Sequence, residues 1–157
     1  RELLVLCLNT SSTSTPVWSA AGKRVEESNA EYDWSDESNQ DILGNVHGSM
    51  RKPIITQAFD PYPLDAGDPV AVKLWNLAIK DQDVQALCNQ DILVIHDYVT
   101  DSSASWAERY DSSMIKVTSI GGEGGGRIEI ATEVTYGGTR TLGTAERDSS
   151  GVITFTA

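Results

Sequence analysis

The chain begins with six consecutive apolar positions, Leu3-Leu4-Val5-Leu6-Cys7-Leu8, too few for an ordinary helix and apolar on both faces. This predicts a strand buried on both sides. The polar run from Asn9 to Pro16 then predicts a loop. Lys23 to Ser35 reads as a second, longer strand of mixed polarity, whereas Asp36 to Asn45 follows neither the helical nor the strand period. A long loop is therefore expected over about residues 35–52, and it carries Ile42, Leu43, Val46 and Met50 among polar neighbours. Apolar side chains in a polar loop need a partner. Either they tuck under the chain's own core or they dock onto another protein.

After Pro53, Ile54 to Phe59 is a β-branched and aromatic strand, closed by the turn residues Asp60-Pro61-Tyr62-Pro63. Asp68 followed by Pro69 is an N-cap with proline at the first helical position. Val70, Leu74, Leu77 and Ala78 then recur at helical spacing, which predicts an amphipathic helix. Asp81-Gln82-Asp83 interrupts or re-caps it before Val84–Cys88, and Asp91–Val99 returns to a strand buried at its centre.

The remainder reads as strand and turn: Met114–Ile120, Arg127–Tyr136, Thr139–Glu146 and Val152–Thr156. Arg127–Tyr136 alternates, with Arg127, Glu129, Glu133 and Thr135 on a wet face and Ile128, Ile130, Val134 and Tyr136 on a core face. Gly137-Gly138 is a two-residue hairpin signal, and Asp148–Gly151 marks a second hairpin. About eight strands and one main helix give a mainly β fold, a β-sandwich or barrel with one flanking α-helix, in a single domain over residues 1–157.

Charge narrows the function. With 23 Asp and Glu against 12 Lys and Arg, the formal charge is -11, which disfavours nonspecific nucleic-acid binding because affinity for phosphates needs clustered cations. No run approaches the roughly 18 apolar residues of a membrane span. The opening apolar stretch is short and follows Glu2, so a soluble, non-exported protein in a reducing compartment is expected. The chain starts at Arg1, which suggests that its N-terminus was processed or lies upstream. Cys7 and Cys88 read as small core residues rather than a disulfide framework.

Candidate chemistry is sparse. His47 and His96 stand apart from any zinc-ligand spacing, and Asp81-x-Asp83 lacks the rest of a calcium loop and sits where capping aspartates belong. Cys88 and His96 lack surroundings that would stabilise a thiolate. The run Gly121-Gly122-Glu123-Gly124-Gly125-Gly126 fails as a phosphate loop because a strand follows it, and it reads as a connection between strands or a mobile contact loop. No catalytic residue, metal or cofactor is expected.

Several segments, in order, resemble one family: Tyr32-Asp33-Trp34-Ser35, Gln57-Ala58-Phe59-Asp60-Pro61-Tyr62, Leu74 to Asp83, Thr118 to Gly126, and Val134-Thr135-Tyr136-Gly137-Gly138. From about Val25 onward they look like the major tail, or tail tube, proteins of long-tailed bacteriophages and prophages of Gram-positive bacteria. The resemblance implies a structural virion protein: a β-sandwich with a flanking helix whose hexameric rings stack into a hollow tube conducting the genome to the host. It implies self-association and, as partners, a tape measure protein, a tail terminator and baseplate or tail tip proteins, with transient passage of DNA and no membrane. The location implied is the virion tail, assembled in the host bacterial cytoplasm. On this picture Ile42, Leu43, Val46 and Met50 are candidate inter-ring contacts. Glu27, Glu31, Glu129 and Glu133 are candidate lumen-lining acids, since a negative wall would not hold DNA; alternatively they face outer solvent. A monomeric ligand-binding β-sandwich, using Trp18, Trp34, Trp75 and Trp106 as a stacking platform, is the alternative from another class.

Overall fold

The structure, a computed structural model, describes residues 4–25, 27–101 and 103–157, without the side chains of residues 100 and 101. Leu3, expected in the first strand, and Glu26, in the acidic stretch after it, lie outside the described residues. Eleven strands are seen among these residues: β1 Leu4–Asn9, β2 Trp18–Ala20, β3 Ala30–Asp33, β4 Glu37–Gln40, β5 Val46–Ser49, β6 Ile54–Pro63, β7 Gln90–Asp101, β8 Ala104–Gly121, β9 Glu129–Thr135, β10 Arg140–Arg147 and β11 Ile153–Thr156. Between β6 and β7 lie α1 Pro69–Trp75, a widened helical turn Asn76–Lys80, and α2 Val84–Leu87.

Nine strands form one folded sheet hinged on β8. The first half of β8 pairs with β7 and β10 and gives a larger layer ordered β2-β1-β7-β8-β10-β11; its second half pairs with β9 and gives a smaller layer ordered β8-β9-β6-β3. The two-layer β architecture with a flanking helix matches expectation. The layers do not close into a barrel: β2 and β11, the outer strands, touch but are not neighbours in the sheet order.

The larger layer is buried on both faces, which is why β1 and β7 carry unbroken apolar runs. Leu6, Leu8, Ile92 and Val94 face the smaller layer, packing with Ile55, Phe59, Tyr62, Ile130 and Val134 and with Val70, Ala71 and Leu74 of α1. Val5, Cys7, Leu93 and Ile95 face the other way and pack with Ala107, Ala145 and Ile153, with Trp18 of β2 and Phe155 of β11 against them. Helix α1 is held as its sequence predicts: the Asp68 carboxylate accepts from the Val70 and Ala71 backbone N–H groups, and Pro69 occupies the first turn.

Several expectations are corrected. The strand expected over Lys23–Ser35 is real only for Ala30–Asp33. The stretch at 35–52, expected as a loop without period, is a hairpin, β4 paired with β5, because exposure on both faces removes the apolar alternation that would reveal it. β6 runs through Asp60-Pro61 to Pro63 by means of a register shift between Phe59 and Tyr62, a bulge that tolerates a proline without an N–H. β8 begins ten residues before Met114, at Ala104. Cys88 is exposed rather than a core residue. The pair Gly137-Gly138 closes no hairpin, since β9 and β10 do not pair with each other but with different halves of β8, in different layers.

That glycine pair is instead the crossover between layers. A Cβ on Gly138 would lie 2.2 Å from Asp111 Oδ1 and 2.6 Å from the Ser112 backbone N, at a φ of +78°. One on Gly137 would lie 2.7 Å from the Ser112 carbonyl oxygen. The crossover therefore lies directly against β8 where that strand changes layers, and the Gly137 N–H donates to the fully buried Ser113 hydroxyl. Gly138→Ala is expected to destabilise the fold by at least about 1–3 kcal/mol, the cost of the left-handed backbone before any clash is counted. Gly124→Ala, where an added Cβ meets nothing within 4 Å, is expected to stay within about 0.5 kcal/mol. Urea unfolding of both variants checks the contrast.

Candidate assembly surfaces

The β4–β5 hairpin projects from the smaller layer and buries little of itself. Ile42 is 103% and Leu43 82% exposed at its tip, and Val46 and Met50 are also exposed, so none of the four tucks under the chain's own core. Order comes from the turn itself. The Gly44 N–H donates to the Asp41 carbonyl at 3.0 Å, with Gly44 in the left-handed region at φ +87°. Asp41 Oδ1 accepts from the Leu43 and Asn45 backbone N–H groups, each at 2.9 Å, and Oδ2 lies 3.1 Å from His47 Nε2. At the root, the Arg51 N–H donates to the Trp34 carbonyl, Tyr32 stacks on Trp34, and Ser35 takes φ +45° where the chain turns out of β3. The hairpin is thus a defined arm holding two apolar side chains in water.

The acidic candidates are partly brought together. Opposed residues of antiparallel strands share a face. Glu133 lies opposite both Lys116 and Ala58, and Glu31 lies opposite Thr56, which in turn opposes Thr135. In β9 the residues alternate half-buried and buried, with Ile130, Thr132 and Val134 inward and Glu129, Glu133 and Thr135 outward. Glu31, Glu129 and Glu133 therefore share the outward face of the smaller layer. Lys116 sits among them, 3.2 Å from Glu133. Glu27 is exposed but precedes β3, so it is not on a strand face with Glu31; its carboxylate accepts from Asn29.

A third feature escaped the sequence reading. Between the hairpin root and the junction of β7, β8 and β10 lies a cleft of about 770 Å³ walled by Tyr32, Trp34, Trp106, Tyr110 and Tyr136, with Lys52 and Arg140 at its lining. Its floor holds the buried Glu108, whose Oε2 lies 2.9 Å from His96 Nε2 and whose Oε1 accepts from Arg140 Nε at 2.6 Å. His96 Nδ1 lies 2.7 Å from the Tyr98 hydroxyl. Desolvation opposes the Glu108 charge, but hydrogen bonds from His96 and Arg140 together outweigh it and hold the carboxyl below its ordinary range. Burial, then the Glu108 charge, pushes the Tyr110 hydroxyl up to about 12. Both His96 nitrogens and the carboxylate are engaged within the wall, which makes the network a rigid surface rather than a proton relay open to substrate. Trp106, Glu108 and Tyr110 share a strand face at spacing two; a charged residue at a core-facing position hid that alternation from the sequence. Of the four tryptophans, Trp34 and Trp106 meet at this cleft, while Trp18 lies under Arg109 and Trp75 is in α1, so the four-ring platform does not form.

Among the described residues no cluster of His, Cys, Asp and Glu is placed to hold a metal ion, and no helix is long and apolar enough to cross a membrane. No family model and no curated protein matches the chain. Solved structures with the same fold include two tube-terminating proteins. The cap that terminates the tube of the anti-feeding prophage aligns over 91% of this chain and 89% of its own, with a TM-score of 0.50 and 10% identity. The sheath/tube terminator of the PVC extracellular contractile injection system, in its extended state, aligns over 88% and 91%, with a TM-score of 0.51 and 8% identity. The likeness supports a tail-tube type of fold; it does not carry the narrower kinship with long-tailed phages of Gram-positive bacteria.

The arm's order should depend on acid. The His47 hydrogen bond first, then the Asn45 N–H, lower the Asp41 pKa from the usual 3.8 to about 2. A depressed carboxylate pKa contributes stability that is full above about pH 4 and is lost as pH falls toward 2. The protection of the Leu43 and Asn45 amides, relative to their intrinsic exchange rates at each pH, should therefore fall across that window and, in Asp41→Ala, already be low at neutral pH.

Proposed function

We propose that the chain is a structural subunit of a phage-tail-like tube, in which copies form hexameric rings and the rings stack head to tail. The observation that carries this reading is the hairpin: an ordered arm keeping Ile42 and Leu43 fully in water has no purpose within one subunit. The fold shared with two tube-terminating proteins supports it. In the assembly the arm, with Ile42, Leu43, Val46 and Met50, makes the ring-to-ring contact. The outward face of the smaller layer, with Glu31, Glu129 and Glu133, lines a channel whose negative wall repels DNA in transit. A tape measure protein, a terminator and baseplate or tip proteins are the expected partners, in a tail assembled in the host cytoplasm.

A second reading draws on the two structures named above, which are of tube-terminating proteins. A terminator forms one ring and stops, whereas a tube subunit stacks without limit, since head-to-tail contacts along an axis do not close. Light scattering and negative-stain microscopy of the purified protein separate tubes from single rings, and a strictly monomeric protein at high concentration would overturn both.

If the arm stacks rings, Ile42→Ser with Leu43→Ser should leave folded subunits or rings that do not form tubes. Two apolar side chains withheld from a contact weaken it by about 3–6 kcal/mol, on the order of a hundredfold to ten-thousandfold in affinity. Assembly equal to that of the parent would remove the arm from the interface. For the channel, Glu129→Lys with Glu133→Lys should permit tubes while making genome passage slow and salt-dependent. Unchanged passage through normal tubes would put these residues on the outside.

A further inference from the structure

We propose that the aromatic cleft is the receptor for the hairpin tip of a second copy of this chain, so that each subunit inserts Ile42 and Leu43 into a neighbour and receives a neighbour's pair in turn. The pairing rests on the self-assembly reading above and adds to it the acceptor that this reading lacks. Donor and acceptor are complementary in three respects. The tip offers two aliphatic side chains in full contact with water, and the cleft offers about 770 Å³ walled by Trp34, Trp106, Tyr110 and Tyr136. The polar groups of the cleft floor are already satisfied by one another, so an aliphatic guest leaves no buried donor or acceptor unpaired.

Charge agrees with shape. The hairpin carries Asp36, Glu37 and Asp41, and no Lys or Arg occurs between Val25 and Met50. The cleft brings Lys52 and Arg140 against the single acid Glu108, in a chain of net charge -11. With Arg140 paired to Glu108, Lys52 leaves the cleft with one net positive charge on an anionic protein, which suits an acidic arm. The arm does not fill its own cleft, because its tip stands exposed while its root, at Trp34 and Lys52, forms part of the cleft wall. Tip and cleft are different patches, so the contact can run head to tail from copy to copy, which propagates as stacking requires.

The test mixes two variants of the full chain. Thr139→Trp, at an exposed residue of the cleft lining, blocks the acceptor and keeps the tip; Ile42→Ser with Leu43→Ser removes the tip and keeps the acceptor. Each should unfold like the parent and fail to stack alone. Mixed, they should give one discrete complex, two subunits or two rings joined tip to cleft, without further growth, by analytical ultracentrifugation. Lys52→Glu provides a milder acceptor change and should weaken parent assembly at least tenfold at low salt, less at high salt. If the cleft-blocked protein and Lys52→Glu both assemble as the parent does while the tip variant does not, the arm docks elsewhere, and this pairing falls with the self-assembly reading intact. A mixture that yields no complex also overturns it. A parent that never associates overturns the self-assembly reading itself.

Discussion

One strand sets the geometry of this protein. β8 runs for 18 residues and serves two layers, pairing with β7 and β10 first and with β9 afterwards. Because a single backbone supplies both ladders, neither layer can shift without moving the other. The change of layer occurs near Asp111–Ser113, where the chain leaving β9 must pass close by; glycine at 137 and 138 gives the space, and the buried Ser113 hydroxyl fixes the passing backbone. The cleft is a product of the same crossing. Its walls are the last residues before β8 changes layers, the glycine crossover itself and the start of β10, with the hairpin root opposite.

A sheet buried on both faces leaves function to its margins. The central stretches of β1 and β7, Val5–Leu8 and Ile92–Ile95, lie between two apolar clusters and are buried away from any partner. The exposed surfaces include the outward face of the smaller layer, the hairpin and the cleft. Among the described residues, the buried acid with a histidine beside it, Glu108, spends its hydrogen bonds on holding the cleft wall.

The sequence was legible wherever burial was regular. The two-sided apolar runs of β1 and β7, the capped helix at Asp68-Pro69, the alternation of β9 and the turn Asp148–Gly151 all follow from patterns that solvent imposes on a chain. Legibility failed where that pressure was absent or conflicted. β4 and β5 are exposed on both faces and leave no period; the first half of β8 places Glu108 at a buried position and so masks its alternation. Gly137-Gly138 misleads for a different reason, since a local turn signal does not say which strand the chain joins next. Of the candidate residues, the four apolar ones lie together on the hairpin and Glu31, Glu129 and Glu133 lie on one outward face that Glu27 does not join, whereas the cleft joins residues as far apart as Tyr32 and Arg140 and has no local signature.

Self-association of a chain with charge -11 is opposed by its own field, because each added copy brings like charge within reach of the last. At physiological salt that repulsion fades beyond about 8 Å, so it is local placement rather than net charge that decides whether copies can meet. The acids on the outward face of the smaller layer have one cation, Lys116, in their midst, and would keep copies apart there. The hairpin acids are tolerable only against a surface that offers cations, and Lys52 and Arg140 lie together at the cleft. Apolar contact then supplies the attraction and charge supplies the direction. Tips repel tips and acidic faces repel acidic faces, so the proposed contact of tip with cleft is one that the charge distribution permits.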